Sequence, residues 1–145
     1  MSTIPSLEFP TFHVVTHPLV QYKLGLLRDK QTNHNMFREL VYELTLFLGY
    51  EATRHLRTIQ KQVETPLETC AATVLDGPNP LILPILRAGL GMVDALLQLI
   101  PSAKVGHVGI FRNEQTLEPE KYYFKIPPDS PTQAVYVCDP MLATG

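Results

Sequence analysis

Residues 81–100 read "LILPILRAGLGMVDALLQLI", an apolar run of membrane-span length broken by two charged side chains, Arg87 and Asp94. Charges inside a lipid-embedded helix are costly, and Pro84 cannot sit inside an unbroken one. The run is better divided. "LILP" forms a buried strand, a short turn carries Arg87, and residues 90–100 form a helix that is apolar on most sides and therefore covered. A buried strand handed straight to a covered helix is the unit of an α/β sheet, and the rest of the chain is arranged around it.

Upstream, Pro18 suits the first turn of a helix, where its missing N–H costs nothing. "PLVQYKLGLLRD" then puts Leu19, Val20, Lys23, Leu24 and Leu27 near one face. A Thr32/Asn33 cap opens a second helix. In it Phe37, Leu40, Val41, Leu44, Phe47 and Leu48 recur at helical spacing and pack the core. The first sixteen residues read as an irregular lead-in. Downstream, "KQVETPLE" predicts a short strand or arm, "GPNP" a turn, and "KVGHVGIF" a strand. Residues 112–120 are polar, "KYYFKIP" can pair back as a hairpin arm, and "AVYVC" is the last strand. The order predicts one α/β domain over 1–145: a parallel sheet flanked by helices, with N-terminal helices and a β-arm.

Composition narrows the chemistry. The chain has 145 residues, 45% hydrophobic and 18% charged, with a net charge of −2. Such a surface attracts neither nucleic acid nor an anionic membrane, so any phosphate chemistry must rest on a few placed cations. Cys70 and Cys138 are far apart in apolar surroundings and fit buried thiols of a reducing cytosol. The opening "MSTIPSLEFP" lacks the basic and apolar regions of a secretory signal, and a cytoplasmic location is expected. His13 and His17 do not share a helical face, and His34, His55 and His107 are isolated, so the histidines make no metal set. No nucleophilic triad can be assembled.

Three segments can carry chemistry at the carboxyl ends of the strands, where open α/β sheets bind ligands. In "LPILRAGLGM", free N–H groups at a helix start favour an anion, Gly89 lets backbone approach a ligand closely, and Arg87 offers a planar fork to phosphate oxygens. Alternatively Arg87 caps a neighbouring helix or lies on the surface. In "FRNEQTLEPEKYY", Arg112 follows a strand and can swing onto a phosphate, while Glu114, Glu118 and Glu120 can assist a metal. A solvated charged loop is the plainer reading. In "VCDPMLATG", a strand delivers Asp139, whose carboxylate suits vicinal ribose hydroxyls. The small residues after it can form a nest of amides for a phosphate, with the Thr144 hydroxyl as a further donor. The Walker pattern is absent.

Taken together, "HPLVQYKLGLLRD", "FRELVYEL", "YEATRHL", "TPLE", "LPILRAGLGM", "FRNEQTLEP" and "VCDPMLATG" resemble uracil phosphoribosyltransferases, in that family's order and spacing. The resemblance implies the type I phosphoribosyltransferase fold and the joining of uracil to 5-phosphoribosyl-1-diphosphate (PRPP), giving UMP and diphosphate. It implies that Asp139 contacts the ribose hydroxyls, and that Pro140, Met141, Leu142, Ala143, Thr144 and Gly145 form the loop holding the 5-phosphate. Arg87 matches the diphosphate-loop arginine and Arg112 the arginine of a loop that closes on PRPP. Mg²⁺ would arrive bound to PRPP, with no resident metal site. The family is commonly dimeric or larger, and GTP activates some members. Its pattern continues past "DPMLATG" with a further glycine and serine, a helix and a uracil-recognising segment. The chain is thus expected to be truncated inside the PRPP loop and inactive when isolated. A non-catalytic nucleotide-binding relative, a regulator of pyrimidine operons, and a transferase for another base are the other readings.

Overall fold

The structure, a computed structural model, describes residues 3–5, 11–128, 131 and 134–141. Leu142, Ala143, Thr144 and Gly145 lie outside the described residues.

Residues 1–16 are not wholly irregular. Strands β1 (Thr3–Pro5) and β2 (His13–Val15) pair antiparallel. No apolar alternation long enough to announce them exists in so short a stretch. Helix α1 (Pro18–Arg28) follows with Pro18 in its first turn, capped by His17, whose Nδ1 accepts from the Leu19 amide at 3.2 Å. Helix α2 (His34–Ala52) starts at Asn33, whose Oδ1 accepts from the Met36 amide at 3.0 Å. Val15, Val20 and Leu44 form one buried cluster, with Leu27 and Phe47 against it.

A two-stranded ribbon comes next: β3 (Thr58–Glu64) and β4 (Thr69–Leu75), in register from Thr58 opposite Leu75 to Glu64 opposite Thr69. It is longer than the expected arm. "TCAATVL" supplies the second strand, and its small side chains hid the alternation.

The central sheet is built on β5 (Leu81–Leu86). Strand β6 (Lys104–Val105) and strand β7 (His107–Arg112) both run parallel along one edge of β5. Leu81 faces Lys104 and Leu86 faces Gly109 at an unchanged offset, so β6 and β7 are one strand with a break. Pro84 explains the break: it lies between the two paired stretches and has no N–H to give the ladder. Strand β9 (Val135–Cys138) lies parallel on the other edge, with Pro84 opposite Cys138. Strand β8 (Pro119–Lys125) folds back antiparallel on β7, so the sheet is parallel in its core and mixed at one edge.

Helix α3 (Leu90–Leu99) joins β5 to β6 and covers one sheet face, where Ile82, Val93, Leu96 and Cys138 form the second buried cluster. It is less covered than its sequence suggests, since Leu90 and Leu99 are exposed. Helix α2 crosses α3 closely because Gly49 has no side chain: a Cβ there would stand 2.5 Å from Leu96 Cδ2 and 2.8 Å from Leu99 Cδ1. Among the described residues no helix is long and apolar enough to cross a membrane.

Candidate active site

Arg87 and Asp139 leave neighbouring strands at the same edge of the sheet. β5 ends at Leu86 and β9 at Cys138, the two run parallel, and Pro84 and Cys138 are partners. Asp139 therefore emerges level with the end of β5, and the turn bearing Arg87 rises beside it. The Leu86–Arg87 peptide bond is cis. Arg87 is exposed, and among the described residues no carboxylate pairs with its guanidinium. Asp139 is half-buried, and its Oδ1 accepts from the Met141 amide at 3.3 Å, which shapes the first turn of the loop through Pro140.

Arg112 is the last residue of β7 rather than the first of a loop. β7 outruns β5 by three residues past the Leu86–Gly109 pair, about 10 Å at the usual rise per residue. Its Nε donates to the Leu117 carbonyl at 3.2 Å. Asn113 holds the same turn, its Oδ1 accepting from the amides of Gln115 (2.8 Å) and Thr116 (3.0 Å). The structure thus brings Arg87 and Asp139 together and sets Arg112 on a hairpin projecting beyond them.

Two expectations at this edge need correction. The first amides of α3 are not free: those of Leu90, Gly91 and Met92 donate to the carbonyls of Arg87, Ala88 and Gly89 at 3.2, 3.4 and 3.1 Å. The tight turn that delivers Arg87 consumes the donors that an anion would use. Nor do Glu114, Glu118 and Glu120 gather: among the described residues no three His, Cys, Asp or Glu side chains are placed to hold a metal ion. The Glu120 carboxylate accepts instead from the Asn113 side chain.

Beside this edge lies a crevice of ≈ 1280 Å³, between α1, α2 and α3. Ala88, Pro140 and Met141 line it from the two loops, Gly91 and Asp94 from α3, and Arg28, Arg38, Glu39 and Glu43 from the other helices. Arg87 and Asp139 themselves are not in its lining. Reading along the sequence missed Arg28 and Arg38, because a charged residue on an amphipathic helix looks like ordinary solvated surface. Only the α1–α2 packing brings them to one crevice with Pro140 and Met141.

The family model for uracil phosphoribosyltransferase matches residues 14–145. The chain belongs to the uracil phosphoribosyltransferase family. It is 54% identical over 132 residues to the uracil phosphoribosyltransferase of Alkaliphilus metalliredigens, covering 91% of this chain and 63% of that one. With the enzyme of Natranaerobius thermophilus the identity is 50% over 133 residues, 92% of this chain and 64% of the relative. A solved structure from Aquifex aeolicus superposes with a TM-score of 0.81 at 38% identity, over 90% of this chain and 62% of the other. The chain therefore spans 63–64% of the length of these curated family members.

Burial sets a large protonation effect next to the site. The Cys138 thiol, 2% exposed and directly before Asp139, is pushed up to about 11 by desolvation. It is a neutral core group at physiological pH, as its apolar sequence context suggests.

Proposed function

We propose that this chain carries the diphosphate- and ribose-binding part of a uracil phosphoribosyltransferase, which moves the 5-phosphoribosyl group of PRPP onto uracil and releases diphosphate. The observation that supports the reading is the parallel register of β5 and β9, which ends the strands before Arg87 and Asp139 at the same carboxyl edge. Family membership supplies the reaction class.

Breaking the bond between the sugar C1 and the diphosphate leaves positive charge on the ribose and negative charge on the leaving group. Fixed donors aimed at the leaving group are the strongest available lever on such a reaction. Arg87, with no carboxylate partner among the described residues, can fork two diphosphate oxygens. Arg112 can join it by giving up its bond to the Leu117 carbonyl, a net cost of about 1 kcal/mol. The Asp139 oxygen not facing Met141 can accept from a ribose hydroxyl. Pro140 and Met141 lead the chain toward the 5-phosphate, whose remaining donors would come from 142–145. Mg²⁺ bound to PRPP would supply further charge neutralisation on the diphosphate. Among the described residues Asp139 is not grouped with two further carboxylate, His or Cys side chains, so it would help hold such an ion only together with the substrate.

Self-association belongs to the same reading. It is supported by apolar side chains left in solvent, Leu67 at 96% exposure on the ribbon and Val137 at 60% on the uncovered sheet face. A response to GTP rests on the family resemblance, and a cytoplasmic location on the reading of Cys70 and Cys138 as thiols of a reducing compartment.

Calorimetric titration of Mg-PRPP into the chain tests the proposal, alongside UMP formation from labelled uracil by the enzyme carrying it. Binding that diphosphate competes away, and that Arg87→Ala weakens, is the expected result. A chain that ignores PRPP overturns it.

A further inference from the structure

Between β5 and α3 the chain passes through Arg87, Ala88 and Gly89. Gly89 is buried while Arg87, Ala88 and Leu90 around it are exposed. Its dihedrals, φ −63° and ψ −17°, are those any residue adopts in a helix. Conformational freedom is therefore not what the position requires. Space is. A Cβ at Gly89 would stand inside van der Waals contact of the Cys138 carbonyl oxygen, and 2.8 and 2.9 Å from the backbone N and O of Ile85. Every one of these obstacles is main chain, and none can rotate aside. Cys138 cannot retreat either, since its side chain is packed among Ile82, Val93 and Leu96.

The Cys138 carbonyl belongs to the peptide unit whose nitrogen is that of Asp139. A side chain at position 89 must therefore force the turn that carries Arg87 off both the Asp139 peptide and the end of β5. We propose that Gly89 is a positioning residue: its missing side chain seats the Arg87 turn directly on the Cys138–Asp139 peptide and so fixes the span across which both loops hold one ligand. The proposal rests on the reading that Arg87 and Asp139 share a sugar diphosphate. It assigns Gly89 a role between the loops, where the sequence alone suggests close approach to the ligand itself.

The experiment uses ligands that touch one loop or both. Mg-PRPP, diphosphate and ribose 5-phosphate are titrated into the full chain, its Gly89→Ala variant and a Gly25→Ala control, whose Cβ meets nothing within 4 Å. Gly89→Ala should bind PRPP more weakly by on the order of tenfold, the cost of misplacing one charge-assisted hydrogen bond. The two half-ligands should bind it as they bind the unaltered chain, and Gly25→Ala should bind all three normally. PRPP affinity unchanged in Gly89→Ala, or equal losses for PRPP and both half-ligands, overturns the positioning role while leaving the functional reading intact. If the unaltered chain binds no PRPP, both fall. Should Gly89→Ala fail to fold, amide resonances of the unaltered chain decide instead. Diphosphate alone must shift the Asp139 amide through the Gly89 contact, and a stationary Asp139 signal refutes the coupling.

Discussion

Pro84 of β5 stands opposite Cys138 of β9, one residue short of Asp139. That single pairing makes Asp139 the first residue clear of the sheet on its strand. Its Oδ1 shapes the following turn through the Met141 amide while its charge faces the edge. Asp139→Asn keeps an acceptor for Met141 and removes only the charge. In the enzyme carrying this chain it should lower kcat/KM for UMP formation on the order of 10²-fold, with thermal stability unchanged. Full activity in Asp139→Asn would remove the carboxylate from the mechanism.

Arg112→Ala should also slow UMP formation, by at least about tenfold as one charge-assisted contact is lost. The hairpin should keep its shape, because Asn113 holds the turn through the Gln115 and Thr116 amides without help from Arg112. Steady-state kinetics paired with circular dichroism separate the two effects.

Gly49 offers a test of the α2–α3 crossing. Removing a helical glycine gains about 1 kcal/mol of propensity, but a leucine there must displace Leu96 and Leu99, and overpacking of this kind costs about 1–3 kcal/mol. Gly49→Leu should therefore lower Tm, whereas Gly25→Ala, with open space around it, should raise it. Thermal denaturation of the two variants reads the difference in sign.

Cys138 gives a pH signature. Its thiol is pushed up to about 11 when folded, against an ordinary 9.0, so the unfolded chain loses that proton first as pH rises. The native state holds its full advantage below pH 9 and loses about 1.4 kcal/mol per pH unit between 9 and 11. Cys138→Ala should be less stable at neutral pH because of the cavity. Its stability gap to the unaltered chain should narrow across that alkaline window. A constant gap, followed by chemical denaturation from pH 8 to 11, would contradict the burial of the thiol.

The elements with strong local rules were legible from residues alone. Pro18 and Asn33 announce their helices, and the 81–100 run divides into strand, turn and helix around Arg87, although the strand runs through Pro84 to Leu86 and Asp94 lies within the helix. β4 was not legible, because "TCAATVL" owes its conformation to pairing with β3 rather than to its own alternation. The loop residues Arg87, Arg112 and Asp139 could be singled out as charges at strand ends. Their spatial order could not, since it depends on β9 choosing the far edge of β5. At Gly89 the sequence reveals the missing side chain, and only the fold reveals that the Cys138 carbonyl and the Ile85 main chain stand where a side chain would go.

The β3–β4 ribbon draws its order almost wholly from its own seven cross-strand pairs, with no extensive packing against either buried cluster. A lone hairpin is marginal in water. Its amide hydrogens should therefore exchange with solvent on a faster clock than those of α2 or β5. Trimming it to a short loop would subtract little from the cooperative melting of the body. It is, in effect, an appendage held by its own ladder, on which the body's melting does not depend.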